Sequence, residues 1–428
     1  MRKQHVIRKG AALICVCALT AGLCGCGTEE KSEEKKTLRV VTDGRLYEEV
    51  KFAGRFLEGV DSAIEVEIHK LPDDKEKREI EIQKLRTEIM AGKGPDVYIM
   101  VPEPENTVEE VMPLLENPYQ TMQSGALASL DEFMEKDSYW EESTYNKNIL
   151  KAGQYDGRQY IIPMSVEYYV LPRADNMEKM TGDTLQEWLA QATDSEDFRL
   201  KQAFYNLEVQ SARWIQPAAD YETAKVKFDK EQWKELAQDS LRFDADVGEE
   251  VISSDIDSRY GFEVSTAALY SDKQSTINPQ IVPDMEGRKM ASIMSYGAVG
   301  MSSDLKQDAY DFLMLFLNDR SQEYSREHSD DSMILPVFWG YLDYAYAPVQ
   351  ESALEAWMHY PSDEILQEMR GSLRELDGAF FLTSVEREMF EGLVQIRWKA
   401  DYPDYDWSED LDKLADNVWN TYKMMVSE

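Results

Sequence analysis

The spacing of apolar positions changes period several times along the first hundred residues. Leu38-Arg39-Val40-Val41 reads as a short strand, residues 47–58 as an amphipathic helix, and Ile64-Glu65-Val66-Glu67-Ile68 as a second strand, apolar and charged by turns. Ile82, Leu85 and Ile89 then recur at i, i+3 and i+7, the spacing of one helix face. That helix is predicted to stop at Ala91-Gly92-Lys93-Gly94-Pro95, where glycine permits positive φ and proline cannot continue the ladder. Asp96-Val97-Tyr98-Ile99-Met100-Val101 supplies a third strand. Strands and helices in this alternation predict the opening of an α/β sheet with parallel order.

Further along, Pro102, Pro104, Pro113 and Pro118 break any long element, so residues 102–128 are expected to form an extended loop. Ser129-Leu130-Asp131-Glu132 has the form of a capping box and predicts a helix start, as does Thr184-Leu185-Gln186-Glu187. Between them, Asp156-Gly157 separates two β-prone runs, which is a two-residue hairpin signal, and Ile161-Ile162-Pro163 is expected to end that hairpin. From about residue 198 helices dominate. Ala309, Phe312, Leu313, Phe316 and Leu317 make a stripe wide enough to face a core. Helices are also expected over 352–358, 363–376, 385–396 and 408–426.

The N-terminus has a different character. Arg2, Lys3, Arg8 and Lys9 precede a short apolar run from Ala11 to Leu23, too short to span a bilayer, and the run ends in Leu23-Cys24-Gly25-Cys26. This resembles a bacterial lipoprotein signal over residues 1–25, and the resemblance implies that Cys26 becomes the acylated first residue of the mature chain. An ordinary secretory peptide is the alternative. Residues 26–36 are polar and charged, without surface to bury, and are expected to serve as a flexible tether. All four cysteines fall in the leader or at the anchor, so the body has no thiol for a disulfide or a nucleophile. Roughly 400 remaining residues suggest two domains. The formal charge is −36, a field that repels nucleic acid and anionic headgroups, so no nucleic-acid partner is expected.

Several segments resemble one family in its own order. Met90-Ala91-Gly92-Lys93-Gly94-Pro95-Asp96-Val97, Asp156-Gly157-Arg158-Gln159-Tyr160-Ile161-Ile162-Pro163, residues 221–236, residues 308–322 with Ile334-Leu335-Pro336-Val337, and residues 385–428 are similar to parts of extracellular solute-binding proteins of carbohydrate-type ABC importers. Maltose-binding protein belongs to that group. The resemblance implies two α/β lobes joined by two or three hinge crossings, with residues 37–165 plus 295–335 in lobe I and 166–294 plus 336–428 in lobe II. It further implies a monomer on the outer face of a bacterial cytoplasmic membrane, in a Gram-positive cell. Such a protein captures a small solute, most simply a mono- or oligosaccharide, and hands it to permease subunits without chemistry, cofactor or metal. A sensor for a membrane histidine kinase and a lipid-anchored glycosidase are the alternatives.

In such sheets ligands sit beyond the carboxyl ends of the strands. Asp43 and Arg45 after the first strand, and Glu103 after the third, are therefore candidate contacts; an ordinary turn at Asp43-Gly44-Arg45 is the competing reading. Val101-Pro102-Glu103-Pro104 departs from the tryptophan-bearing loop of maltose-binding protein. Glu167 stands where the resemblance places a carboxylate on a crossing strand, and it can serve either as a sugar contact or as one half of a hinge salt bridge. Tyr168 and Tyr169 point opposite ways on a strand, so only one can face the cleft; Tyr168 is the candidate. Trp214, Tyr296, Trp339 and Trp357 could stack on a sugar ring or pack in a core. Ser295-Tyr296-Gly297 is the favoured contact at the second crossing, with Gly297 allowing close approach of the backbone. The four histidines have no metal-binding spacing, and no GxSxG elbow or Walker loop occurs.

Overall fold

The computed structural model describes residues 35–102, 112–171, 177–253, 263–264, 279–317, 342–343, 345–358, 361–400 and 405–427. Cys26, Glu103 and Trp339 lie outside them, as do Ile334-Leu335-Pro336-Val337.

The expected alternation at the start is present. Strand β1 (Lys36–Thr42), helix α1 (Tyr47–Val60), β2 (Ile64–Lys70), α2 (Lys75–Met90) and β3 (Val97–Met100) follow one another. β1 pairs in parallel with both β2 and β3. Helix α2 begins where the Asp74 side chain accepts from the Lys77 N–H, and the chain leaves it at Gly92 with φ of 68°. The hairpin also forms. β4 (Gln154–Tyr155) and β5 (Arg158–Gln159) pair antiparallel across Asp156 and Gly157, whose φ values of 49° and 70° are those of a two-residue turn. The Thr184 capping box is complete and opens α3 (Leu185–Asp194).

Three expectations fail at least in part. Residues 102–128 are not loop throughout, since Pro118–Gln123 is helical behind an Asn117 cap. A helix does start after Ser129, but it is a single turn, Asp131–Met134, and the capping box does not form: the Ser129 hydroxyl donates to the Asp131 carboxylate and accepts from the Asp131 N–H at 3.4 Å. Asp131 is spent on neighbouring backbone, accepting from the Gln159 N–H at 3.1 Å. Ile161-Ile162-Pro163 does not end strand structure but begins β6 (Ile161–Glu167), which is buried throughout. Pro163 is tolerated there because the pairing of β6 with its neighbour is irregular around that residue, where the register shifts between Ser295 and Tyr296.

β7 (Tyr169–Leu171) pairs antiparallel with β8 (Glu263–Val264) and β9 (Gln280–Ile281) in a small separate sheet. The long strand β10 (Met290–Val299) returns to the large sheet. β10 lies antiparallel to both β6 and β3, so β6 runs in the direction of β3 and β1. With β11 (Ala347–Pro348) on β6, the order across the large sheet is β11-β6-β10-β3-β1-β2, and β12 (Gly378–Phe380) adds to β10. The carboxyl ends of β1, β3 and β6 and the start of β10 therefore meet on one side. This is where the candidate residues gather.

The faces of the large sheet follow the alternation of the strands. Leu38, Val40, Val97, Ile99, Ile162 and Met164 enter one apolar cluster, and Val41, Tyr98, Met100, Ile161 and Tyr296 the other. A second large cluster is mainly helical. It includes Trp188, Phe204, Trp214 and Phe228, with residues from α4 (Lys230–Ser253), α7 (Ser384–Ala400) and α8 (Ser408–Met425). Helix α5 (Lys306–Met314) carries the predicted stripe, with Ala309, Phe312 and Leu313 buried against the first cluster. The sequence grouped residues 336–428 with the second lobe, yet Ala347–Pro348 pairs with β6, and Leu354, Trp357, Met369 and Leu373 bury their side chains in the first cluster. Met369 and Leu373 belong to α6 (Asp363–Arg374), which enters the first cluster beside the short helix Leu354–Trp357.

Candidate functional site

At the carboxyl end of β1, Asp43 is an ion-pair partner of Arg78 from α2, and both side chains are only 4% exposed. Its other oxygen accepts from the Val101 N–H at 3.0 Å, so Asp43 fastens the exits of β1 and β3 to each other. Arg78 also donates to the backbone carbonyls of Met112 and Pro72. Both Asp43 oxygens have protein partners, which makes it the keystone of the site floor.

Arg45 reaches across the strand ends. Its Nη2 donates to the Met294 carbonyl at 2.7 Å and to Asp343 Oδ2 at 3.0 Å, and its guanidinium lies 4.8 Å from the centre of the Tyr346 ring. Its Nε is buried and has no partner among the described residues. Asp343 also accepts from the Ser165 hydroxyl, which contacts Ser295 at 2.5 Å. Burial raises the Asp343 carboxyl above its ordinary pKa, against the opposing pull of Arg45.

Glu167, the last residue of β6, forms an ion pair with Arg213 at 2.9 Å. Arg213 also donates to the Ser292 hydroxyl at 2.7 Å and lies over the Tyr169 ring. It ends a 3₁₀ segment, Leu207–Arg213, whose Leu207 packs in the helical cluster. The pair therefore bridges the large sheet and the helical half of the protein. Tyr346 completes the group: burial raises its hydroxyl pKa, and the neighbouring Glu167 adds to the rise. Arg45, Asp343, Glu167 and Arg213 thus surround one tyrosine with two cations and two carboxylates.

Other expected contacts are not brought to this surface. Tyr168, between β6 and β7, is buried in the first core, its hydroxyl 3.5 Å from Met369 sulfur, and Tyr169 is the one that turns toward Arg213. Tyr296 is fully buried edge-on to Phe381, with its pKa raised by burial first and by Asp43 next. The space that Gly297 leaves open is filled by Met164 and Leu313, so its small size serves core packing. Trp214 and Trp357 are core residues. Arg78, Ser165, Ser292, Arg213, Asp343 and Tyr346 were not singled out from sequence.

Beside Arg213 is a cavity of about 20 Å³, lined by Tyr169, Gln210, Trp214, Asp284 and Met290, with room for about one water molecule. A larger groove of about 790 Å³ opens on the far side of Pro283, between Lys179, Trp188, Gln280, Lys289 and Glu375. The groove has the volume of a small-molecule site. The charged cluster has the polar groups.

Comparison with solved structures places this arrangement. An extracellular solute-binding protein family 1 from Alicyclobacillus acidocaldarius matches with a TM-score of 0.57 at 15% identity, over 92% of this chain and 100% of that one. The chain has the fold of extracellular solute-binding proteins. This fold matches a periplasmic oligogalacturonide-binding protein from Yersinia enterocolitica at 0.56, with 13% identity over 91% and 100% of the two chains. It also matches an extracellular solute-binding protein from Staphylococcus aureus in complex with maltose at 0.53, with 15% identity over 91% and 98%. No protein-family model and no curated protein matches the sequence. Among the described residues no helix is long and apolar enough to cross a membrane.

Proposed function

We propose that the protein is a lipid-anchored extracellular receptor that captures a small carbohydrate between its two halves and delivers it to an ABC importer without chemical change. The observation that carries the reading is the charge-balanced cluster of Arg45, Asp343, Glu167 and Arg213 around Tyr346, at the shared carboxyl ends of the sheet strands. With each cation matched by a carboxylate, the polar cluster carries no net charge, which suits a neutral polyhydroxyl solute. Crossing strands β6 and β10 and the Glu167–Arg213 pair connect the two halves, so a solute bound there can be read as a change in their closure. The binding of an oligogalacturonide and of maltose by proteins of the same fold supports a carbohydrate ligand. Tethering through Cys26 rests on the leader sequence, and the absence of cysteine from residues 27–428 removes thiol catalysis.

A thermal-shift screen of residues 37–428 against mono- and oligosaccharides and polyols tests this reading. A true ligand at a hundred times its Kd adds about 2.7 kcal/mol of stability by mass action, and its effect rises with concentration. A shift retained in Arg213→Met but lost in Lys289→Ala would move the ligand to the groove beyond Pro283. A shift by another solute class alone would overturn the carbohydrate assignment.

A further inference from the structure

The 3₁₀ segment that delivers Arg213 to Glu167 is seated by a second buried charge group at its other end. Asn206, which precedes the segment in a left-handed conformation with φ of 63°, donates its N–H to Asp244 Oδ1 of α4 at 3.2 Å. Asp244 Oδ2 is held by Arg397 Nε of α7 at 2.7 Å, and Arg397 Nη2 donates to the Tyr205 hydroxyl at 2.8 Å. Glu208, two residues after Asn206, is 4% exposed, and its Oε2 is buried with no partner among the described residues. The charged groups acting on Glu208 are Asp244 from α4 and Arg397 from α7. Glu208 is thus a second buried carboxylate within electrostatic reach of the guanidinium that Asp244 holds.

We propose that Glu208 is a proton-operated positioning residue for the segment that carries Arg213. When Glu208 is neutral, Arg397 stays on Asp244 and the Tyr205 hydroxyl, Asp244 holds the Asn206 N–H, and the segment is seated as described. Ionised Glu208 draws Arg397 toward itself, weakens the hold of Asp244 on Asn206, and loosens the segment along with Gln210, Arg213 and Trp214. No proton is consumed; one is taken up or released at the Glu208 carboxyl. The consequence for solute capture, stronger on the acid side of neutrality, rests on the receptor reading above, whereas the seating of the segment does not.

Burial first, and Asp244 second, push the Glu208 carboxyl up to about 7 from an ordinary value near 4.5. Protons bind the seated state more tightly than the opened one between those values, so opening becomes easier as pH rises through that window. Hydrogen exchange of the full chain in detergent, followed by mass spectrometry and corrected for intrinsic rates, reads this without any ligand. Protection of peptides covering 205–214 is expected to fall about tenfold between pH 6 and pH 8, with peptides of β1 and α1 as controls. Glu208→Gln, which mimics the neutral acid, is expected to keep the protection of pH 6 at pH 8. Equal pH profiles in the two proteins would overturn the proposal. So would loss of protection in Glu208→Gln at every pH, or failure of that variant to fold, since the amide should favour the seated state. Because no solute is present, failure here leaves the receptor reading standing.

Discussion

Replacing Arg78 by methionine is expected to destabilise the protein by about 3–5 kcal/mol, read as a lower urea midpoint with an unchanged slope. The size follows from burial. Arg78 and Asp43 are both withdrawn from water, and removing the cation leaves a carboxylate whose only other partner among the described residues is the Val101 N–H. Arg78 also closes the backbone carbonyls of Pro72 and Met112, which lose a donor with it. In the double variant Arg78→Met with Asp43→Asn, the uncompensated charge is gone while the amide oxygen can still accept from Val101. That protein should recover much of the loss. Full loss in Asp43→Asn with none in Arg78→Met would mean that Asp43 is held by something other than this pair.

A second large effect is expected at the bridge between the halves. Arg213→Met leaves the mostly buried Glu167 carboxyl without its cation and should cost about 3–5 kcal/mol; Glu167→Leu in the same chain removes the orphaned group and should restore stability to near that of the parent. Restoration of stability is not restoration of function. The double variant no longer presents the donor and acceptor beside Tyr346, so its response to any carbohydrate that stabilises the parent should be lost. A double variant that regained stability and kept the full solute response would reduce Glu167–Arg213 to a structural pair. The sequence left these two readings of Glu167 open, and the structure supplies its partner: a cation 46 residues further on in another element.

How far a feature could be read from sequence tracks how local its cause is. β1 to β3 were legible because the period of apolar residues is a property of each segment, and the Asp156-Gly157 turn because its φ requirement belongs to two residues. The Ser129 signal misled for the complementary reason: Asp131, inside that motif, is claimed by Gln159, 28 residues away. The polar cluster at the strand ends was legible as a place and not as a set of contacts. Asp43, Arg45, Glu167 and Ser295 were selected because they follow or cross the strand ends, and all four participate in the polar groups there. Their partners were hidden, since Arg45 meets Asp343 across 298 residues and Ser165 meets Ser295 across 130. Tyr168 and Tyr169 show a finer limit: alternation says that one must turn inward, but which one depends on the register of β7 against its neighbours.

Titration calorimetry of residues 37–428 with di- to hexasaccharides, followed by mass analysis of the recovered sugar, tests the central claim most directly. The account predicts saturable binding of at least one carbohydrate at a single site per chain, with the sugar recovered intact. Absence of binding across the series, or recovery of cleaved sugar, would contradict it.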